Sequence, residues 1–98
     1  MFDNLNLHLI LQVKEQSLCT LWNLSVDEKL RVKIATPDIL PILVKSLDDD
    51  DVMVKEAAGG VLSNLALSQV NHKIMVEEGV IPKLVRLLLY QLYLEMHI

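Results

Sequence analysis

The stretch that decides the fold is residues 54–66, VKEAAGGVLSNLA. Its apolar side chains recur at intervals of three and four residues, which is the spacing of one face of an α-helix. The Gly pair at 59–60 weakens a helix, so it indicates close approach of a neighbouring helix or of a bound peptide. The sequence therefore predicts a buried helix whose apolar face consists of Val54, Ala57, Ala58, Val61, Leu62 and Leu65.

The same pattern occurs a second time, 41 residues earlier in the chain. A shift of 41 positions aligns three motifs without a gap: 13–15 with 54–56, 21–24 with 62–65, and 41–47 with 82–88. Shared Leu residues alone could arise by chance in an aliphatic chain, but Lys-Glu, Asn and Pro also keep this register. A fixed period of this length is the signature of a solenoid of stacked helical repeats.

Turn and capping residues divide each repeat into three predicted helices. A short helix covers 30–35, and the next opens at Ile39, where Asp38 is expected to act as the cap. Pro41 falls in the first turn of that helix, where its missing N–H does no harm. The acidic run 48–51 then separates the second helix from the third, and carboxylates favour the N-terminal end of a helix. This run lacks the spaced ligands, central Gly and closing Glu of a calcium loop.

Composition limits the classes of protein to consider. The chain has 98 residues, of which 52% are hydrophobic and 4% aromatic, with a formal net charge of -4. These values describe one aliphatic-rich globular unit that is too apolar to be disordered. The acidic balance provides no basic stripe for neutralising phosphates, so we expect no nucleic-acid or membrane partner. No apolar run approaches the ~20 residues that a membrane-spanning helix needs.

Neither a metal site nor a catalytic centre is predicted. Cys19 is the single cysteine, which indicates a buried thiol in a protein of a reducing, intracellular compartment. The three histidines, His8, His72 and His97, are far apart in the sequence and none has a metal-ligand spacing. The chain shows no Ser-His-Asp order, no paired catalytic carboxylates and no phosphate-binding Gly loop. The sequence therefore predicts a protein that is not an enzyme and needs no cofactor.

These motifs resemble the armadillo repeat. Residues 79–88 carry its second-helix motif, Gly-x-Ile-Pro-x-Leu-Val-x-Leu-Leu, and residues 58–66 carry its third-helix motif, Ala-x-x-x-Leu-x-Asn-Leu-Ala. The resemblance implies an all-α fold, a right-handed alpha-alpha superhelix of stacked repeats that is incomplete in this chain. Residues 57–60, followed by 67–73, are also similar to plant armadillo-repeat proteins.

The predicted armadillo-repeat region covers residues 13–92. It contains a third helix at about 13–25, a full repeat at about 28–66 and the first two helices of another at about 70–92. Residues 1–12 and 93–98 depart from the repeat pattern, and they are apolar where the caps of a solenoid would be charged. We therefore expect either a fragment of a longer array or a chain that self-associates through its apolar ends.

The resemblance also implies a groove for a peptide. In armadillo proteins the third helices of successive repeats line a concave surface, where an Asn near each helix end contacts the backbone of an extended partner. An Asn amide suits this task because it both donates and accepts hydrogen bonds. The alternative is that each Asn bonds its own helix terminus. The candidate groove residues are Asn23, Asn64, Glu15, Cys19, Glu56, Gly60 and Trp22.

The chemistry of this groove differs from that of importin-alpha-type binders. Those relatives carry Trp one turn before each Asn, forming slots for Lys and Arg, whereas the matching positions here are Cys19 and Gly60. Binding of nuclear-localisation signals is therefore not expected. Trp22 is expected at the groove edge, partly buried. Glu15 and Glu56 give the groove negative charge, which favours a basic or polar extended segment.

The function implied by the resemblance is that of a non-catalytic protein-protein interaction scaffold with a protein or peptide partner. The alternative is a purely structural piece of a larger armadillo solenoid, with no ligand of its own. The cytoplasm or nucleus is the expected location, and a plastid is an alternative for a plant parent protein with a transit peptide.

Overall fold

The computed structural model describes residues 4–97 and shows an all-α chain. Over this range no strand occurs, and the predicted fold class is confirmed. The handedness of the superhelix stays a prediction. Met1–Asp3 and Ile98, which belong to the predicted non-consensus ends, lie outside the described residues. The elements are α1 (Asn4–Leu24), α2 (Glu28–Ile34), α3 (Leu40–Ser46), α4 (Val52–Leu65), a 3₁₀ turn (Gln69–Asn71), α5 (His72–Glu77) and α6 (Val80–Met96).

Helix α4 is the centre of the hydrophobic core. The apolar face predicted for it is fully buried, and α1, α2 and α3 pack around it. The most extensive contact between helices in residues 4–97 is that of α1 with α4. The remaining buried hydrophobic side chains come from the surrounding elements and are Leu18, Ile34, Ala35, Leu40, Leu43, Leu47, Met75 and Val80.

Side-chain caps explain where the helices begin. Asp27 Oδ1 accepts hydrogen bonds from the backbone N–H groups of Lys29 and Leu30, at 2.8 and 3.3 Å, and so caps α2. Asp51 Oδ1 accepts from the N–H of Met53 at 3.1 Å and caps α4. Carboxylates therefore stabilise the start of both helices, as expected at the positive end of a helix dipole.

The prediction that Asp38 caps the second helix was wrong. The chain already turns through 37–39, so α3 begins at Leu40, and Ile39 lies at the capping position. The N–H of Ile39 donates instead to Thr36 Oγ1, 3.2 Å away. A hydroxyl three residues upstream can reach that N–H because the intervening backbone is curled.

Gly79 supplies the sharp bend between α5 and α6. It is the one residue in the described range with a positive φ, at 72°, in the left-handed region that glycine adopts without strain. Pro41 and Pro82 lie in the first turns of α3 and α6, in agreement with the sequence analysis. The second helix of each repeat is therefore oriented by turn chemistry that is visible in the sequence.

Two helices are longer than the repeat pattern suggested. Helix α1 begins at Asn4, well before the position near residue 13 where the motif starts, and α6 continues without a break to Met96. In the middle of the chain, by contrast, the second helix stops at Ser46 and a turn follows. The division of the chain into repeat units at 13–92 stays a prediction.

The acidic turn between α3 and α4 joins three successive parts of the chain. Asp49 forms an ion pair with Lys14 of α1, and Asp48 forms one with Lys83 of α6. The hydrogen bond from each lysine lowers the pKa of its aspartate below the usual range. The carboxylates that look like a solvated turn in the sequence therefore bridge to the helices before and after it.

Candidate functional site

The predicted groove residues lie on α1 and α4, which are the third helices of successive repeats in the 41-residue frame. Helix α1 carries Glu15, Cys19, Trp22 and Asn23, and α4 carries their counterparts at the matching positions. Because these two helices pack along each other, candidate residues of α1 and α4 come close together at several points, although not all of them do. They separate into two clusters and one outlying residue.

The first cluster surrounds a shallow concavity of about 320 Å³. Met53, at the start of α4, closes one side of it. The thiol of Cys19 is half-buried here rather than buried, because α1 is packed against helices on one side alone. Asn23 is exposed at the end of this concavity. The α1 residues that line it are Glu15, Gln16, Cys19, Thr20 and Asn23.

A pair of carboxyl groups lies at the other end of the concavity. Glu15 faces Asp51, whose Oδ1 caps α4 while its Oδ2 is buried without a hydrogen-bond donor. A hydrogen bond with the Asp51 carboxylate raises the pKa of Glu15, and partial desolvation and the charge of Asp51 act in the same direction. The pair therefore gives this end of the concavity, where Glu15 is part of the lining, excess negative charge.

The second cluster is centred on Trp22. A methyl group added at Gly60 would overlap the indole ring of Trp22, so the ring occupies the space above that glycine. Close approach at Gly60 is therefore confirmed, although the approaching group is a side chain rather than a helix backbone. The indole is still 40% exposed. At Gly59 an added methyl would make ordinary contact, 4.0 Å from Leu47 Cδ2, so packing does not require glycine there.

The two candidate asparagines have different surroundings. Asn64 Nδ2 donates to Ser25 Oγ at 3.0 Å, and Ser25 Oγ donates to the carbonyl of Trp22 at 2.7 Å. Asn64 therefore ties α4 to the end of α1 rather than to its own terminus. Asn23 is exposed and borders the concavity. Of the two amides, that of Asn23 is the more accessible to a ligand.

Glu56 lies apart from both clusters. It borders a different groove, between α4 and α6, together with Lys55 and Gly59. Three residues that matter for the candidate site were missed in the sequence analysis: Ser25, Asp51 and Met53. Asp51 could have been found, because it stands directly before the helix and belongs to the acidic run. Ser25 could not, because its partner is 39 positions away.

The rest of the described chain adds no second kind of site. In residues 4–97 no group of three or more His, Cys, Asp or Glu side chains is placed to hold a metal ion. Over the same range none of the helices combines the length and the apolar character required to cross a bilayer.

Helix triplets that stack through their third helices define the class of the protein as an α-solenoid of three-helix repeats. Residues 27–67, which contain α2, α3 and α4, match the Armadillo/beta-catenin-like repeat. Residues 27–67 therefore form an armadillo-type repeat. No curated protein and no solved structure matches the chain. Armadillo repeats form concave surfaces that serve protein interactions, so the class of the molecule is that of an interaction scaffold.

Proposed function

We propose that this protein is a non-catalytic scaffold that binds an extended segment of a partner protein along the surface formed by α1 and α4. The observation that carries the proposal is the concavity that Glu15 and the exposed Asn23 line at opposite ends, with Asp51 facing Glu15. This concavity is built on third helices, one of which belongs to a matched armadillo repeat.

The amide of Asn23 suits backbone recognition. It offers a donor and an acceptor at the surface, so it can hold one peptide unit of an extended segment whatever its side chains. The neighbouring Thr20 Oγ1 already donates to the carbonyl of Gln16, at 2.8 Å. Asn23 is therefore the polar group of this helix turn that is best placed to hold a peptide backbone.

The chemistry of the surface favours a basic segment. A Lys or Arg side chain beside Glu15 would offset the repulsion between the Glu15 and Asp51 carboxylates and donate a charge-assisted hydrogen bond to Glu15. The exposed face of Trp22 can receive the aliphatic stem or the charge of a second basic residue. Since no Trp stands at positions 19 or 60, the proposed ligand is not a nuclear-localisation signal held in paired Trp slots.

The location we propose is intracellular, in the cytoplasm or nucleus. The free thiol of Cys19 supports this, because a half-exposed cysteine persists most easily in a reducing compartment.

The proposal is tested by panning a displayed peptide library against the immobilised chain. We expect enrichment of unstructured segments that contain Lys or Arg, and binding of a selected peptide to be about tenfold weaker in Asn23→Ala. Gln69→Ala is the matched control, because it removes an exposed amide side chain outside the concavity.

Asn64→Ala is a less clean probe, since it also removes the hydrogen bond to Ser25. Equal peptide affinity in the parent chain and in the Asn23→Ala/Asn64→Ala double variant would contradict the groove assignment. Enrichment of acidic or purely apolar peptides would contradict the proposed ligand chemistry.

A further inference from the structure

Two helices at the same position in the repeat are covered very differently. Leu47, directly after α3, is 1% exposed, whereas its counterpart Leu88 in α6 is 59% exposed. The same holds earlier in these helices, since Leu40 is buried and its counterpart Ile81 is exposed. Helix α3 is covered because the third helix α4 packs on it. In the described range no third helix packs on α6 in the same way.

The uncovered position has the shape of a groove. It lies between α4 and α6 and has a volume of about 500 Å³. Its α4 lining includes Glu56, the counterpart of Glu15, which faces the start of α4 where α1 and α4 pack, so it is where the third helix of another repeat would stack. The lining is mostly apolar and includes Val52, Gly59, Leu87, Tyr90 and Leu94.

Helix α1 is a third helix without a second helix packed on it in the described residues. It is a third helix by its sequence, yet no second helix precedes it in the described residues. Val13 is 61% exposed, whereas its counterpart Val54 in α4 is 0% exposed. Leu9, Gln12, Val13 and Ser17 line a second shallow depression on this side of α1, of about 310 Å³. In residues 4–97, therefore, no second helix packs on α1 as α3 packs on α4, and no third helix packs on α6 as α4 packs on α3.

The ends of the two helices complement each other. Helix α3 stops at Ser46, but α6 continues past the counterpart Leu87 for about two and a half turns, which we name the α6 arm (88–96). Helix α4 starts at Val52, but α1 starts about two turns before the counterpart Leu11, and this is the α1 arm (4–10).

Both arms replace the acidic turn 48–51 with exposed apolar residues. The counterparts of that turn read Leu-His-Leu-Ile at 7–10 and Leu-Tyr-Gln-Leu at 89–92, and both are helical. A second and a third helix joined by a short turn run antiparallel. If the turn is replaced by continued helix on both partners, the two arms extend side by side and bury each other's apolar residues.

We propose that α1 of a second copy of this chain docks head to tail into the groove beside α6 and α4. In this contact α1 of the second copy packs on α6 and α4 as α4 packs on α3 and α1 within one chain. The α1 arm of one copy packs along the α6 arm of the other. The contact joins two different surfaces, so it continues from copy to copy rather than closing as a two-fold dimer. Stacking in this way also extends the third-helix surface across the copies.

Two variants of the full chain test the geometry, by light scattering and sedimentation over a wide range of concentration. Leu9→Glu with Val13→Glu blocks the α1 face, and Leu88→Glu with Leu92→Glu blocks the α6 face. All four side chains are exposed in the single chain, so the fold should survive. The matched control is Ile42→Glu with Val70→Glu, which adds the same charge at exposed apolar positions outside both faces.

We expect the unaltered chain and the control to form a series of oligomers that grows with concentration. Each face variant alone should be monomeric, with association weakened at least about a hundredfold. An equimolar mixture of the two face variants retains one intact pair of surfaces, so it should form a one-to-one heterodimer and nothing larger.

A monomeric unaltered chain would overturn the proposal without the use of any variant. Dimers formed by either face variant alone would overturn it too, because they would mean that like faces pair. So would a mixture that stays monomeric. Circular dichroism checks the helix content, and Leu9→Gln and Leu88→Gln replace the Glu variants if these unfold. A monomeric α6-face variant that still binds the selected peptide separates this contact from the proposed groove.

Discussion

Helices α1 and α4 have nearly the same sequence pattern but occupy very different surroundings. In α4 the apolar face is fully enclosed, because α1, α2 and α3 all pack on it. In α1 the matching face is largely open to solvent, since within residues 4–97 the helix packs mainly against α4 and to a small extent against α2. The difference teaches that in a solenoid the burial of a residue is decided by the adjacent repeats and not by the helix that carries it.

The largest effect is expected when the same leucine of the two helices is replaced by alanine. Leu65 of α4 is 0% exposed and its counterpart Leu24 of α1 is 44% exposed. We expect Leu65→Ala to lower the free energy of unfolding by about 2–5 kcal/mol, through lost burial and a cavity. Leu24→Ala should cost about 1 kcal/mol or less.

Urea unfolding followed by circular dichroism measures both values, at a low protein concentration so that association between copies does not contribute. Equal losses at the two positions would mean that α1 is covered as completely as α4.

The adjacent glycines of α4 give a second matched pair, with effects of opposite sign. Gly60→Ala places a methyl group where the Trp22 ring lies, so we expect a loss of about 1–3 kcal/mol from overpacking. Gly59→Ala meets only ordinary contact, so the gain in helix propensity should stabilise the chain by about 0.5–1 kcal/mol.

Thermal unfolding gives the signs, and tryptophan fluorescence reports directly on the cause, because Trp22 is the single Trp of the chain. A shifted emission spectrum is expected in Gly60→Ala alone. If Gly60→Ala is as stable as the parent chain and its emission spectrum is unchanged, then the position of the Trp22 ring does not require glycine at residue 60.

The smallest expected effect on stability concerns the carboxyl pair Glu15–Asp51, between α1 and the start of α4. Folding raises the pKa of Glu15, so the folded state binds a proton there more tightly than the unfolded state does. The stability contributed by this site therefore rises as the pH falls from neutrality towards the raised pKa. Glu15→Gln should be more stable than the parent chain near neutral pH, with a difference that narrows as the pH is lowered.

Asp49→Asn is the control with the opposite sign. Folding lowers the pKa of Asp49, so its ion pair with Lys14 contributes at neutral pH and is lost as the pH falls through the lowered value. Unfolding curves at several pH values should show the two differences moving in opposite directions. A constant gap between Glu15→Gln and the parent chain would mean that Glu15 and Asp51 do not interact.

Local features of the fold could be predicted well from the sequence. The buried face of α4, the prolines that open α3 and α6 and the turn at Gly79 all follow from spacing and from backbone chemistry. The capping role of Asp38 was wrong because the N–H groups of Ile39 and Leu40 donate instead to the hydroxyl and the carbonyl of Thr36. Helix ends depend on such local competition, which a pattern of residue types does not resolve.

The candidate site was predicted only in outline. Glu15, Cys19 and Asn23 share one concavity because they stand four residues apart on a single helix, and this spacing is visible in the sequence. The hydrogen bond from Asn64 to Ser25 and the packing of the Trp22 ring on Gly60 join positions that are distant in the sequence. Only the packed helices reveal them.

The sequence by itself determined the repeat, the helical class and the resemblance to the armadillo repeat. These rest on the spacing of residues within single helices and on the 41-residue period. Only the tertiary structure decided which of those equivalent faces is covered, which asparagine is exposed and how far α1 and α6 run. The physical reason is that burial and hydrogen bonding belong to pairs of helices. Equal sequence patterns therefore acquire different roles wherever their neighbours differ.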